Sequence, residues 1–367
     1  KNYKIDGTQI SFKPRGLRNR SNFCYINSIL QALLACPPLC NLLKRLSENF
    51  THNNALKSIT MSENMCKFMN NFDNLPNVRR KSRSKKKNKK QTFVNIDNGN
   101  SFEASSFYTM LNGTRSDSFL VEGRQEDAEE FLGLLLNGLN DEMMGKMKLI
   151  SHDENIQAAK IEGNVTREIQ MDKTPISDIF GGLLCSRIHK TGDETSENIE
   201  PFLTLPLNIK KANNIAEALE GLTTKNKLEG LTSSKTKEPV EAWQQVMIEK
   251  LPVVLVLHLK CFEYRMNGCT KIMKTIEFPI NLQIDSKILS GRTNTPAERK
   301  YKLISVVYHV GKEASYGHYI ADTFHSGYNT WLRFDDSKIN RVTEEDVLKR
   351  QGDRVPYLLF YRRSDTV

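Results

Sequence analysis

Cys24 sits where a thiol can become a nucleophile. It lies in Gly16-Leu-Arg-Asn-Arg-Ser-Asn-Phe-Cys24-Tyr-Ile-Asn-Ser-Ile-Leu-Gln-Ala-Leu33, and Ile26, Ile29, Leu30, Leu33 and Leu34 follow it at helical spacing. Pro37-Pro38 is expected to stop that helix. A thiol at a helix N-terminus faces unpaired backbone N–H groups and the positive end of the helix dipole, and both favour thiolate. Near the other end of the chain stand Tyr316-Gly317-His318-Tyr319-Ile320 and Trp331-Leu-Arg-Phe334-Asp335-Asp336. A lone cysteine is ordinarily a buried structural residue, and a lone histidine in an apolar run a satisfied core residue. Together, Cys24, His318 and Asp335 offer a nucleophile, a general base and a group to orient the base. His318 precedes one apolar strand-like run and Asp335 follows another, so adjacent antiparallel strands would bring them together. Asp336 is the neighbouring alternative for the orienting role.

These segments resemble the two signature boxes of the ubiquitin-specific proteases, the cysteine deubiquitinases of papain-like fold. Other family-like stretches fall between and after them in order: Arg124-Gln-Glu-Asp-Ala-Glu-Glu-Phe-Leu132, Phe180-Gly-Gly182, Leu251-Pro-Val-Val-Leu-Val-Leu-His-Leu-Lys260 and Tyr357-Leu-Leu-Phe-Tyr-Arg-Arg363. The resemblance implies an α+β catalytic domain with a helical thumb, a β palm and β fingers that grip ubiquitin. It implies hydrolysis after the C-terminal Gly-Gly of ubiquitin on conjugates or chains. Cys24 would attack, His318 would serve as base and then acid, and Asp335, seventeen residues after His318, would orient it. The oxyanion donors would be the Cys24 backbone N–H and Asn19. Asn22 is a weaker candidate, read more simply as a helix N-cap. Gln125 and Asp127 would bind the ubiquitin tail, Asp127 through the tail's arginines. Asp127 also reads as a first-turn acid favoured by the helix dipole. His309 and the loop Gly311–Gly317 match the family's blocking loop beside the catalytic histidine, and His309, Gly317 and Tyr319 would join Gln125 and Asp127 in binding the substrate.

The chain departs from the family pattern in its cysteines. Many members hold zinc in the fingers with two Cys-x-x-Cys pairs. Here Cys185 stands alone near the first position, and Cys261 and Cys269 are too far apart to form a pair. No zinc and no cofactor are expected. Cys261 also replaces the arginine that usually follows Leu-Lys. Competing readings are a catalytically weak ubiquitin-binding module, a protease for another ubiquitin-like modifier, or another Cys-His-Asp enzyme; the last would not need the 125–131 segment.

The 367 residues are read as one catalytic domain: 1–168 a mainly helical thumb with a basic insertion at about 76–104, and 169–367 β-rich fingers and palm. Gln125–Met144 reads as an amphipathic helix, and 145–168 as a second variable stretch. Strands are expected near 183–189, 202–209, 253–260, 301–308, 318–324, 330–334 and 357–361. The net charge of +10 falls to +1 without Arg79–Lys90, which holds nine positive charges and no acid. That run reads as a solvated loop, with nuclear import or RNA contact the minor alternative. It has no interleaved aromatic residue for base stacking, which counts against nucleic acid. No apolar run reaches the roughly 20 residues that span a bilayer. Seven dispersed cysteines predict a reducing compartment, so the chain is placed in the cytoplasm, with nuclear entry as an addition. It begins without Met, reads as part of a longer protein, and is expected to be monomeric.

Overall fold

The computed structural model of the chain describes residues 10–50, 60–75, 96–114, 126–151, 173–233, 235–265, 268–291, 294–313 and 316–366. Its first part is helical. Strand β1 (Arg15–Leu17) leads into α1 (Cys24–Leu34), followed by α2 (Pro37–Phe50), α3 (Met61–Met69), β2 (Gly99–Phe102), α4 (Ser105–Thr114) and α5 (Ala128–Ser151). α1 is buried on every side from Cys24 to Leu33, which makes it a core helix between α5 and the main sheet. It ends before the proline pair, but the prolines do not end the helical region. They open α2, where the first-turn N–H groups have no intrahelical acceptor to lose.

Two boundaries differ from the sequence reading. α5 starts at Ala128 rather than Gln125 and runs on to Ser151, because Lys146, Met147 and Lys148 are good helix formers. The end of the expected insertion is ordered: Gly99–Phe102 pairs in parallel with β1. The basic run 79–90, Gln125 and residues 152–172 lie outside the described residues. The chain segment 11–13 holds both flanks of the interval 76–95. Leu75 N–H donates to the Ser11 carbonyl and Lys13 N–H to that of Asp73, each at 2.7 Å, while Lys13 Nζ pairs with Asp97 at 2.8 Å.

The second part contains α6 (Pro175–Phe180), β3 (Gly182–Lys190), β4 (Ser196–Phe202), β5 (Leu205–Leu207), α7 (Ile215–Leu222), β6 (Asn226–Leu228), β7 (Ala242–Lys250), β8 (Val254–Leu259), β9 (Phe262–Arg265), β10 (Gly268–Lys271) and β11 (Asn281–Gln283). β12 (Lys300–Val310), β13 (His318–His325), β14 (Thr330–Asp335), β15 (Lys338–Val342), α8 (Glu344–Leu348) and β16 (Arg354–Arg363) complete it. The palm is one sheet in the order β15-β14-β13-β12-β16-β8-β5, with β11 on β12. β4-β3-β7-β6 form a separate four-stranded sheet, and β9 and β10 a hairpin. The single strand expected near 202–209 divides into the end of β4 and β5. β7 and β15, which the sequence reading did not name, carry Gln244, Gln245 and Glu249 or Lys338, Asn340 and Arg341 among their apolar residues, so alternation is weak.

A buried ion cluster sets the register of the strands that carry the site. Asp322 on β13 faces Arg333 on β14, and the guanidinium Nε and Nη2 reach its two oxygens at 2.8 Å each. Asp322 is fully buried, and Arg354 approaches it at 3.4 Å. Arg354 also donates to the carbonyls of Asp346 (2.6 Å) and Lys349 (2.9 Å), which fastens α8 under the sheet. A one-residue slip of β14 would turn this pair apart and reverse every side chain on the strand. Replacing the charge with a neutral isostere leaves two guanidinium groups facing it without a counter-ion. Asp322→Asn should therefore lower the unfolding free energy by about 3–5 kcal/mol. The urea midpoint at constant m-value measures it, and a loss below about 1 kcal/mol would remove the cluster from this role.

Candidate active site

His318 is the first residue of β13 and Asp335 the last of β14. Their strands pair Ala321 with Phe334, which sets Asp335 across from Ile320. His318 lies two residues before Ile320 and therefore projects from the same face, diagonally opposite Asp335. His318 Nε2 is 2.6 Å from Asp335 Oδ1 and 4.0 Å from Asp336 Oδ2. Cys24, the first residue of α1, hydrogen-bonds the same imidazole. With Nε2 taken by Asp335, Nδ1 is the nitrogen left to face the sulfur. The bond with Cys24 is the main reason that the His318 pKa rises from 6.5 to about 9. Burial opposes the rise and Asp335 adds to it. A raised histidine pKa means that the imidazolium is the resting form at neutral pH. The stability it contributes is complete below about pH 6.5 and is lost as pH rises through about 9.

Asp336 has a different set of partners. It sits in the tight turn between β14 and β15 with φ at 49°, a conformation that aspartate tolerates better than most residues. Asn19 Nδ2 donates to its Oδ2 at 3.0 Å, Asn27 Nδ2 donates to its Oδ1 at 2.8 Å, and its carbonyl accepts from Leu17 N–H at 2.9 Å. Asn27 lies one turn into α1 from Cys24, so one residue of the palm turn holds the helix that carries the thiol. Asn19 Oδ1 in turn accepts from Phe23 N–H at 3.1 Å. The residue that caps α1 is Phe23, without a side-chain cap bond, so the N-cap reading of Asn22 is corrected. Asn27 was not singled out from the sequence. Its only signal is polarity in a largely apolar helix, which it shares with Ser28 and Gln31.

Of the groups read as tail-binding, Gln125 lies outside the described residues, and Asp127, Tyr319 and His309 are joined through Tyr357 in one packed row. Asp127 precedes α5 and accepts from Glu129 N–H at 2.7 Å, the geometry of a cap. Tyr357 OH donates to the same carboxylate, 2.6 Å from either oxygen. Tyr357 packs on Tyr319, and Tyr319 on His309, with ring centroids 5.6 and 5.0 Å apart. The Tyr319 hydroxyl also bonds the backbone of Ala128, so β13 touches the start of α5. His309 is fully buried on β12 beneath Gly317. Neither of its ring nitrogens has a hydrogen-bond partner among the described residues. Burial, then Lys271 and His318, push its pKa down to about 3, so it is neutral.

His318, Asp335 and Asp336 place one nitrogen and two oxygens within 4.8 Å of one another, a spacing that a metal ion could use. Those atoms are already engaged with Cys24, Asn19, Asn27 and each other, and an ion would have to break these bonds. Cys185 is buried in β3 between Ile199 and Met247 of the neighbouring strands.

Residues 15–361 match the family model described as ubiquitin carboxyl-terminal hydrolase. The chain is 37% identical to ubiquitin carboxyl-terminal hydrolase 10 of Xenopus tropicalis over 398 residues, covering 99% of this chain and 49% of that protein. It is 32% identical to a probable ubiquitin carboxyl-terminal hydrolase 3 of Schizosaccharomyces pombe, over 96% of this chain and 74% of the relative. The chain thus spans about half the length of the hydrolase 10 relatives. Among solved structures it is similar to a chain of the SAGA Ubp8/Sgf11/Sus1/Sgf73 DUB module bound to ubiquitin aldehyde. That match has a TM-score of 0.70 at 25% identity and covers 97% of this chain and 70% of the other. The fold is the α+β fold of those deubiquitinase domains.

The pKa shift of His318 gives a direct check on the pairing. Cys24→Ala removes the largest cause of the rise, so the imidazole should titrate well below 9, nearer its ordinary value of 6.5. NMR titration of the His318 ring measures this, and an unchanged pKa would mean that the thiol does not control it.

Proposed function

Since the chain belongs to the ubiquitin carboxyl-terminal hydrolase family, we propose that it is a thiol isopeptidase that releases ubiquitin from protein conjugates or chains. The observation that carries this reading is one imidazole held between Cys24 and Asp335, with Asn19 beside them. The Cys24 thiolate attacks the carbonyl carbon of the terminal glycine of ubiquitin while His318 holds the thiol proton. The Cys24 backbone N–H and the Asn19 amide meet the oxyanion; only one Nδ2 hydrogen of Asn19 is committed to Asp336. Collapse breaks the C–N bond, His318 gives its proton to the leaving amine, and a thioester remains. Water then attacks the thioester, loses a proton to His318, and frees the glycine carboxylate and the thiol. Asp335 keeps the imidazole aligned through both halves. Asp336 keeps Asn19 and α1 in place.

The substrate is the extended, basic tail of ubiquitin. Asp127 is the anion for its arginines, and the bonds from Tyr357 and Glu129 hold that carboxylate in one orientation. Selection for glycine at the scissile end is ascribed to a narrow channel that admits glycines and rejects side chains. No single described helix is long and apolar enough to cross a membrane; α1 and α2, bent 91° apart, lie in the core. We place the domain in a reducing compartment, the cytoplasm, in keeping with free thiols at Cys24, Cys36, Cys40, Cys66 and Cys185.

The deciding experiment is reaction of the protein with ubiquitin and ubiquitin-like proteins that carry a C-terminal electrophile, followed by turnover of ubiquitin conjugates. Labelling of Cys24 by the ubiquitin probe is expected, and no labelling by any probe would sink the reading. Cys24→Ala should abolish turnover while leaving ubiquitin affinity intact. Asn19→Ala should lower kcat by about 10²–10³-fold with KM little changed, the usual loss for one oxyanion donor. A change confined to KM would make Asn19 a binding residue instead.

A further inference from the structure

Lys271 ends β10, outside the triad and outside the row that joins Asp127 to His309. Its ammonium donates to three backbone carbonyls: His309 (3.1 Å), Asp353 (3.3 Å) and, closer still, Gly311. These lie on two pieces of chain, the end of β12 running into its loop and the residue before β16. His309 is near the end of β12, Gly311 begins the loop that returns to His318, and Asp353 immediately precedes β16. The side chain is half-buried, so each of these bonds is screened less than a surface contact would be.

The loop between β12 and β13 is pinched where Lys271 holds it. Val310 pairs with His318 as the last rung of the ladder. Gly311 has φ at 120°, and a Cβ there would stand 3.1 Å from the Tyr316 carbonyl oxygen and 3.2 Å from the Gly317 Cα. Gly317 in turn rests on the buried His309 ring, with no room for a Cβ, which would fall 2.2 Å from Nε2. Contacts therefore run from Lys271 to Gly311, from Gly311 to Gly317, and from Gly317 to the residue after it, His318. Tyr316, beside Gly317, is exposed. The bonds that align the triad take another route, through β14 and the Asp336 turn.

We propose that Lys271 is a positioning residue for the neck formed by His309, Gly311 and Gly317, and that by holding this neck beside His318 it sets the space for the terminal glycines of ubiquitin. This rests on the isopeptidase reading above. Because the triad does not depend on Lys271, its loss weakens productive binding of the tail and spares the chemical step.

The test compares the wild-type protein, Lys271→Met and Lys271→Arg on ubiquitin bearing a C-terminal fluorogenic amide. Lys271→Met keeps the stem and removes the charged donors. It should raise KM about ten-fold, the scale of a lost charge-assisted contact, with kcat within about three-fold. Lys271→Arg retains a fork of donors for the carbonyls and should bring KM back to within about three-fold of wild type. Amide hydrogen exchange in a peptide covering 308–319, measured without substrate, should be faster in Lys271→Met and near wild type in Lys271→Arg. An unchanged KM with unchanged exchange would overturn the proposal. So would a defect confined to kcat, or one that only tracks a lower melting temperature. If the wild-type protein fails to turn over the substrate, the isopeptidase reading falls, and the exchange comparison still decides whether Lys271 holds the loop.

Discussion

Asp336 joins the two layers between which the site is built. Its carboxylate receives one N–H from Asn19 and one from Asn27, and its carbonyl receives the Leu17 amide. Hydrogen bonds to a charged acceptor each contribute about 1.5–3 kcal/mol when they are partly shielded from water, so the two bonds to the carboxylate, with the Leu17 amide bond beside them, resist relative sliding of helix and sheet. Without such a tie, Cys24 and His318 would be aligned only by apolar packing, which is strong but non-directional. Placing the acid in a tight turn also solves a geometric problem. A turn residue with positive φ can aim its side chain back toward α1 while its neighbour Asp335 points along the sheet to the imidazole. Adjacent carboxylates thus act in different directions.

The palm supplies the other half of the alignment. His318 and Asp335 lie on neighbouring strands, and their diagonal distance depends on register alone. The Asp322–Arg333 pair holds that register from inside the sheet, and Arg354 ties it to the start of β16. A charge in so dry a place gains stability only when every partner is present. Its value here is specificity: one pairing of β13 with β14 satisfies it, and the pairings one residue away do not. The buried tyrosines below the groove, Tyr319 and Tyr357, extend the same rigidity to Asp127.

The chemistry-bearing residues were legible because each lies in a short contiguous segment whose context is local. Cys24 precedes a helical run, His318 opens a strand, and Asp335 closes one. The positions of Asn27 and Lys271 in the site were not legible. Their partners come from chain segments far away in sequence, and nothing in their own neighbourhood distinguishes them from ordinary surface polar residues. Asn27 shares α1 with the polar Ser28 and Gln31, so its polarity alone does not mark it. The strands missed by pattern, such as β7 and β15, mix polar residues into both faces, so alternation fails as a guide. Pro37 and Pro38 follow the end of α1 as the sequence predicts and also open α2, because proline is as well suited to the first turn of a helix as it is unsuited to the middle.

Segment 11–13 grips Asp73 and Leu75 on one side and Asp97 on the other, so one short stretch holds both flanks of the interval 76–95. The free energy of closing a connection between fixed ends grows only with the logarithm of its length. The two anchored flanks are therefore a socket that a connection of varying length can join with little strain on the palm or the thumb. The socket is also wired to the chemistry. Phe102 accepts the Arg18 amide at 2.7 Å, and the next residue back, Leu17, bonds the Asp336 turn. A domain spliced between Pro76 and Asn95 would be anchored on segment 11–13, which leads through β1 to Asn19.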